Sequence, residues 1–276
     1  MFENRSVGLA LVLPAAIFAA ALFLLPVGIL LSEAFRAGDG WSIQAYIDFF
    51  ASSRNQTVFF RTLKLAGLVA GVSAVIGYAA AFAIVNLPAT SRGRMFGLVT
   101  LPLMISPVAR TYAWLVILGR TGFVNQILVD IGITETPLRI LFTETAVFIG
   151  LLQLFLPLMI ISLVSAMENM PKDAVPAARI LGANWFQVFW RVILPLTAPG
   201  IASGAILVFV PALGAVLEPI LMGGGKQMMM GSLIQLQFGG GRNWPFGSAI
   251  AVMLLVFVMV VLIVLARRAA LKEATP

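Results

Sequence analysis

The 276-residue sequence contains no cysteine and no histidine, and only 11% of its residues are charged. These absences exclude disulfides, thiol nucleophiles, imidazole acid–base chemistry and the zinc or haem sites that use these ligands. They therefore disfavour hydrolytic and redox enzymes. Soluble domains keep about a quarter of their residues charged. So few charges cannot cover an apolar interior with a water-facing surface, which indicates a protein solvated by lipid.

Long apolar runs are abundant: 61% of the residues are hydrophobic and the mean hydropathy is +1.03. Each run is long enough to cross about 30 Å of hydrocarbon at about 1.5 Å per residue. The sequence predicts an all-α integral membrane protein with one domain over residues 1–276. Its six membrane-spanning helices are predicted at about 7–31, 65–88, 95–119, 145–167, 196–221 and 246–266.

The net charge of +7 indicates membrane topology rather than nucleic-acid binding, because bilayer proteins keep Lys and Arg in their cytoplasmic loops. Basic residues are almost equally numerous on the two sides of the predicted spans. The short connection with Arg92 and Arg94 and the tail from Arg267 to Lys272 lie close to helix ends. There the positive-inside rule acts most strongly, so we expect both termini in the cytoplasm.

The connection 168–195 between the fourth and fifth spans is predicted to contain two short helices. Asp173 is expected to cap the first, Gly182 to end it with a left-handed turn, and Asn184 to cap the second. Pro195 is expected to set the first turn of the fifth span. The second short helix carries an apolar surface that includes Trp185 and Phe186. Two interpretations remain open: an amphipathic helix lying on the bilayer, or a helix-turn-helix knob that docks into a soluble partner.

The same connection resembles the EAA loop of type I ABC importer permeases, whose pattern is Glu-Ala-Ala, three residues, Gly, nine residues, Ile-x-Leu-Pro. Ala177-Ala178, Gly182 and Val192-Ile193-Leu194-Pro195 match this spacing without a gap. Pro176 stands at the family's Glu, and Asp173, one turn earlier, is the carboxylate expected to substitute for it. The resemblance implies the MetI-like permease fold with cytoplasmic coupling helices. Its implied ATPase-coupling residues are Asp173, Ala177, Ala178, Arg179, Gly182, Asn184, Trp185, Phe186 and Pro195.

Further segments resemble permeases of the spermidine/putrescine branch, among them Arg110-Thr111-Tyr112 and the run from Leu221 to Gly224. The branch implies import of a polyamine, or of a related opine or amino-acid-like solute. One departure is Ile220, where polyamine permeases often carry an acidic residue. Glu218 lies two positions earlier.

The resemblance also implies the partners and the location. They are a second similar permease, two ABC ATPase subunits that bind ATP and Mg, an extracytoplasmic solute-binding protein, and the lipid of a bacterial inner membrane. It assigns this chain no catalytic residue, no metal and no cofactor of its own, and no nucleic acid as a partner. The rival classes are a secondary transporter, which would need inverted repeats and coupling-ion carboxylates, and a membrane-embedded enzyme.

Arg110 and Glu218 are the two charges predicted to lie closest to the interior of the bundle, where a charge needs water or a partner. The predicted substrate pathway is Glu218, Arg110, Tyr112, Trp114 and Pro211. Glu218 is either a pathway or gate residue or the outer end of a helix, and Arg110 is either a pathway residue or half of a structural ion pair. A cationic solute would favour Glu218 in the pathway, and an anionic solute would favour Arg110.

Overall fold

The structure, a computed structural model, describes residues 5–37 and 40–273. The chain separates into two packing units: the chain up to Gln56 together with the chain from Leu233 onward, and Thr57–Ser232. The described α-helices are α1 (Arg5–Ala34), α2 (Gln44–Ala51), α3 (Ser53–Val85), α4 (Ala89–Met104), α5 (Pro107–Ile117), α6 (Phe123–Asp130), α7 (Glu144–Glu168), α8 (Ala174–Ile180), α9 (Trp185–Val188), α10 (Leu194–Leu213), α11 (Leu217–Leu221), α12 (Met230–Phe238) and α13 (Trp244–Glu273).

The unit formed by the two ends of the chain pairs α1 with α13, and α2 also packs on α13. Between α1 and α2 lies a two-residue hairpin, in which β1 (Arg36–Ala37) and β2 (Gly40–Trp41) are antiparallel with Arg36 opposite Trp41. The ring of Phe49 on α2 contacts Phe246 on α13 at 6.5 Å. The exposed apolar side chains of α1 suit a helix that faces lipid.

The unit Thr57–Ser232 is built around α7, which packs along α10. Two glycines of α10 make this contact close: an added Cβ at Gly200 would overlap Ala166, and one at Gly204 would lie 2.6 Å from the sulfur of Met159. Lipid is as apolar as a leucine side chain, so helices in a membrane associate through close backbone packing, which small residues permit. A Cβ at Gly77 of α3 would likewise lie 2.9 Å from Met159, so α3 and α10 both pack on α7.

Five described helices are long and apolar enough to cross a membrane, and six if the bent pair α4–α5 counts as one span. This agrees with the predicted all-α membrane fold. The prediction of a continuous third helix over 95–119 is wrong, because α4 and α5 meet at an angle of 94°. Ser106 is extended, with ψ at 128°. Pro107 follows it, and a proline disfavours helical backbone at the preceding residue.

The fifth predicted helix, 196–221, is also interrupted. α10 ends at Leu213, Gly214 forms the C-cap, and α11 starts only at Leu217. The amide of Gly214 donates to the carbonyl of Pro211 at 3.1 Å, which tightens the last turn. The second predicted helix, 65–88, begins much earlier, at Ser53, because its first turns are polar and do not contribute to an apolar run. The first and last helices also extend beyond their predicted ends of 7–31 and 246–266.

We predict that Gly200→Ala lowers the midpoint of thermal unfolding in detergent, because the new methyl group overlaps Ala166. Overpacking of this kind costs about 1–3 kcal/mol. Gly71→Ala is the matched control: it is also a glycine within a helix, and a Cβ there meets nothing within 4 Å. Alanine is the better helix former, so the control is expected to be as stable as the wild type or more stable. Equal midpoints for the two variants would contradict the close α7–α10 contact.

Candidate functional site

The connection between α7 and α10 forms a knob of two short helices, α8 and α9. Gly182, at φ +83°, ends α8. Its amide donates to the carbonyl of Arg179 at 3.0 Å, and the amide of Ala183 donates to Ala178 at 3.1 Å. These two bonds are the pair of a Schellman C-cap. Gly182 therefore makes the left-handed turn that its position in the sequence predicts.

Asn184 caps α9 as predicted, in a capping box with Gln187: the Asn184 side chain accepts from the Gln187 amide at 2.9 Å, and the Gln187 side chain accepts from the Asn184 amide at 3.0 Å. The expected cap from Asp173 is absent. Asp173 stands at the start of α8, but its side chain makes no cap hydrogen bond. Its ψ of −10° is already helical, whereas a capping residue is normally extended.

The second knob helix continues into the fifth span without a break, so that Trp185–Leu213 is one helix of 29 residues. Pro195 is the second residue of α10 and so lies in the first turn of this helix, as predicted, although α9 and a π segment precede it in the same continuous helix. A π-helical segment, Phe189–Ile193, joins α9 to α10, and the amide of Leu194 donates to the carbonyl of Phe189. Pro195 has no amide hydrogen and its ring crowds the carbonyl one turn earlier. A wider π turn at this point accommodates it.

The tip of the knob is apolar and exposed. Ile180 is 86% exposed, Leu181 87% and Phe186 70%. Lys172 and Arg191, which flank the two short helices in the sequence, are exposed as well. Sequence reasoning named Phe186 and missed Ile180 and Leu181, although two aliphatic residues directly before a C-capping glycine in a charged connection are a usable signal. Exposed apolar side chains at the end of a connection suit an apolar groove.

Arg110 on α5 and Glu218 on α11 are both buried, at 9% and 3% exposure. Their helices pack together. No direct salt bridge joins the pair, and the Nε and Nη1 atoms of Arg110 have no hydrogen-bond partner among the described residues. Gly150 of α7 lets α11 pack closely against α7, because a Cβ at this position would lie 3.1 Å from the Cγ of Glu218.

The remaining predicted pathway residues separate into two environments. Trp114 packs against the buried cluster that contains Leu118 and Met222, and thus lies on the side of α5 that packs within this unit. Tyr112 is 55% exposed and Pro211 is also exposed. The structure therefore brings Arg110 together with Glu218 and leaves Tyr112 and Pro211 on the surface of this chain.

A polar cluster at the N-terminal end of α7 holds the loop 223–229. Sequence reasoning missed this cluster. Arg61 of α3 donates from Nε to Glu144 at 2.9 Å, and from Nη1 to the carbonyls of Lys226 at 3.2 Å and Met228 at 3.3 Å. Lys64 pairs with the other oxygen of Glu144. These contacts fix the chain that follows α11, and so help to position Glu218.

The fold defines a class of protein: a polytopic membrane component with an exposed apolar knob in the connection between two of its spans. The family model "Binding-protein-dependent transport system inner membrane component" matches residues 73–271, and the chain belongs to this family. It is therefore a multi-pass inner-membrane permease component of an ABC importer, as the EAA-loop resemblance predicts.

Named relatives are similar over most of their length. The spermidine/putrescine transport system permease protein PotB of Haemophilus influenzae is 39% identical over 91% of this chain and 90% of its own. PotB of Escherichia coli is 37% identical over 75% of each chain. A chain of a bacterial alginate ABC transporter, crystallised with an alginate pentasaccharide-bound periplasmic protein, superposes with a TM-score of 0.83 over 98% of this chain and 96% of its own. Its 20% identity supports the fold alone.

We predict that Arg61→Gln increases hydrogen exchange of the amides in 223–229, because it removes charge-assisted bonds to Glu144 and to two loop carbonyls. Such bonds contribute about 1.5–3 kcal/mol each, so exchange should rise about tenfold or more. Lys64→Gln is the control. Its side chain is 53% exposed, and exposed pairs contribute little. Equal exchange in the two variants would show that Arg61 does not hold the loop.

Proposed function

We propose that this chain is the membrane subunit of a polyamine importer and moves spermidine, putrescine or a close analogue into the cytoplasm. The observation that carries the proposal is the similarity to the two PotB proteins, which reaches 39% identity over nine tenths of this chain. The proposed assembly contains a second, homologous permease, two ABC ATPases that bind ATP and Mg, and an extracytoplasmic binding protein. The chain itself binds no cofactor or metal in this scheme.

The knob is the proposed ATPase docking surface. Its apolar tip, Ile180 and Leu181, would enter a groove on the ATPase, with Phe186 beside it. The rest of the predicted coupling set shapes or borders this tip: Asp173, Ala177, Ala178, Arg179, Gly182, Asn184, Trp185 and Pro195. Because Trp185–Leu213 is one helix, a displacement of the knob would reach the break before α11. If the knob docks onto a cytoplasmic ATPase, both termini also lie in the cytoplasm, because an even number of spans separates the knob from each terminus.

Glu218 is the proposed contact for an ammonium group of the cargo. A buried carboxylate in a membrane protein needs a counter-charge, and Arg110 supplies it only from a distance. Tyr112, Trp114 and Pro211 are the proposed apolar and aromatic wall of the same pathway. A second candidate solute is an opine or amino acid, which the unbonded donors of Arg110 favour because they suit a carboxylate.

Uptake into proteoliposomes that contain the complete transporter tests the solute class. With its binding protein and ATP, the wild type should accumulate labelled spermidine or putrescine and exclude opines. Glu218→Gln keeps the volume and removes the charge, so polyamine uptake should fall about tenfold or more, the effect of losing one buried charge contact, while the ATPases still co-purify. Uptake of a carboxylate-bearing solute, with no uptake of polyamine, would establish the second candidate instead.

We predict that Gly182→Val uncouples ATP hydrolysis from uptake. A Cβ at Gly182 meets nothing within 4 Å, but φ is +83°, and a β-branched residue in this conformation costs about 1–2 kcal/mol. The Schellman turn would relax and displace the tip. Gly132→Val is the matched control, because Gly132 has φ +73° and equally open surroundings after α6. The measurement is solute taken up per ATP hydrolysed, and a loss in the control as large as in Gly182→Val would contradict the docking assignment.

A further inference from the structure

Two aromatic side chains of α3 contact the knob and the segment that follows it. The ring of Tyr78 lies 5.7 Å from Phe189 in an edge-on arrangement, and the ring of Phe82 lies 5.9 Å from Trp185. Tyr78 and Phe82 are four residues apart on α3, and Trp185 and Phe189 are also four residues apart. The two residues of each helix therefore lie on one face of it. The order is reversed between the helices, and the two contacts therefore form an antiparallel aromatic zipper along the end of α3.

A hydrogen bond reinforces the zipper beside the π segment. The hydroxyls of Tyr78 and Thr197 are 3.0 Å apart. The Thr197 hydroxyl is 2.8 Å from the carbonyl of Ile193, to which it donates, so Tyr78 is the donor to Thr197. Ile193 ends the π segment. Tyr78 thus contacts the first residue of the π segment, Phe189, and a residue that follows the segment, Thr197.

Trp185 links α3 to the first knob helix as well. The guanidinium of Arg179 on α8 lies 5.6 Å from the centroid of the Trp185 ring, a distance typical of cation–π contact. The ring is 49% exposed, yet it contacts both Phe82 and Arg179. Trp185 therefore joins α8, α9 and α3, while Ile180 and Leu181 form the exposed tip.

We propose that Tyr78 and Phe82 are positioning residues that transmit the movement of the knob to the bundle. α3 can serve this purpose because Gly77 seats it against α7, and Ala81 and Ile84 are buried beside the zipper. Without the zipper, the knob is joined to the fifth span only through the π segment, where a helix yields most readily. This inference rests on the proposed coupling function, and does not depend on which solute is carried.

Phe82→Ala in the complete reconstituted transporter tests the role of the aromatic zipper. Val75→Ala is the matched control on the same helix, because its side chain is 74% exposed. The chain has no cysteine of its own, so a single cysteine at Leu207, a half-exposed position of α10, reports movement by its labelling rate with and without ATP and vanadate. Phe82→Ala should retain the bound ATPases and their hydrolysis rate. It should reduce both the ATP-dependent change in labelling and the uptake per ATP about fivefold, in line with the loss of one aromatic contact.

Phe82→Tyr keeps the ring and should restore coupling, and Tyr78→Phe, which removes only the hydroxyl, should give a smaller loss. If Phe82→Ala fails to insert, Phe82→Leu keeps apolar volume without a ring and is expected to lose coupling. If the Phe82 variants behaved like Val75→Ala, the proposed role of the aromatic zipper would be overturned. Loss of the bound ATPases from the Phe82 variants would also overturn it. If the labelling of the wild type changes with ATP but the transporter takes up no polyamine, the proposed solute is refuted and the proposed role of the aromatic zipper is not. A wild type that takes up polyamine but shows no ATP-dependent change in labelling refutes the coupling role of Tyr78 and Phe82 and leaves the proposed solute standing.

Discussion

The close contact of α10 with α7 at Gly200 and Gly204 is the constraint on which the other features depend. Lipid gives two apolar helices no reason to associate beyond packing and internal hydrogen bonds, so two missing side chains decide where these helices meet. Ser162 of α7 adds a bond to the carbonyl of Gly200 at 3.0 Å. This contact sets the position of α10 and of the break before α11, while the aromatic contacts of α3 hold the knob on the other side of the π segment.

Both buried charges lie just beyond a break in a span. Arg110 is four residues after Ser106, and Glu218 follows Gly214 by the same distance. A break frees backbone groups that lipid cannot satisfy, so it is tolerated where protein or a water-filled cavity surrounds it. A buried charge needs the same surroundings. The two requirements coincide in α5 and α11, which explains why the charged pair and the irregular backbone occur together.

The sequence was sufficient for features that depend on local chemistry. Apolar runs predicted the spans, and the Gly182 and Asn184 turns follow from capping preferences alone. The predicted span at 95–119 was continuous, although Pro107, with Ser106 extended, bends it by 94°. The contacts of Arg61 with Glu144 and the loop carbonyls join residues 83 and more positions apart, and periodicity carries no information on such distances. The contacts of Phe82 with Trp185 and of Tyr78 with Phe189 were missed for the same reason.

Pro176, at the position of the family's Glu, is explained by its place in α8. It is the third residue of the helix, where the amide has no partner within the helix, so proline costs no hydrogen bond there and fixes φ. The amide of Ala177, the next residue, makes the first helical bond, to the carbonyl of Asp173. Asp173 is exposed, and its carboxylate does not cap the helix. It therefore remains available at the start of α8 to a basic group on a docking partner. If Asp173 replaces the family's Glu, as we propose, the charge lies about one turn earlier, and Pro176 stiffens the turn in between.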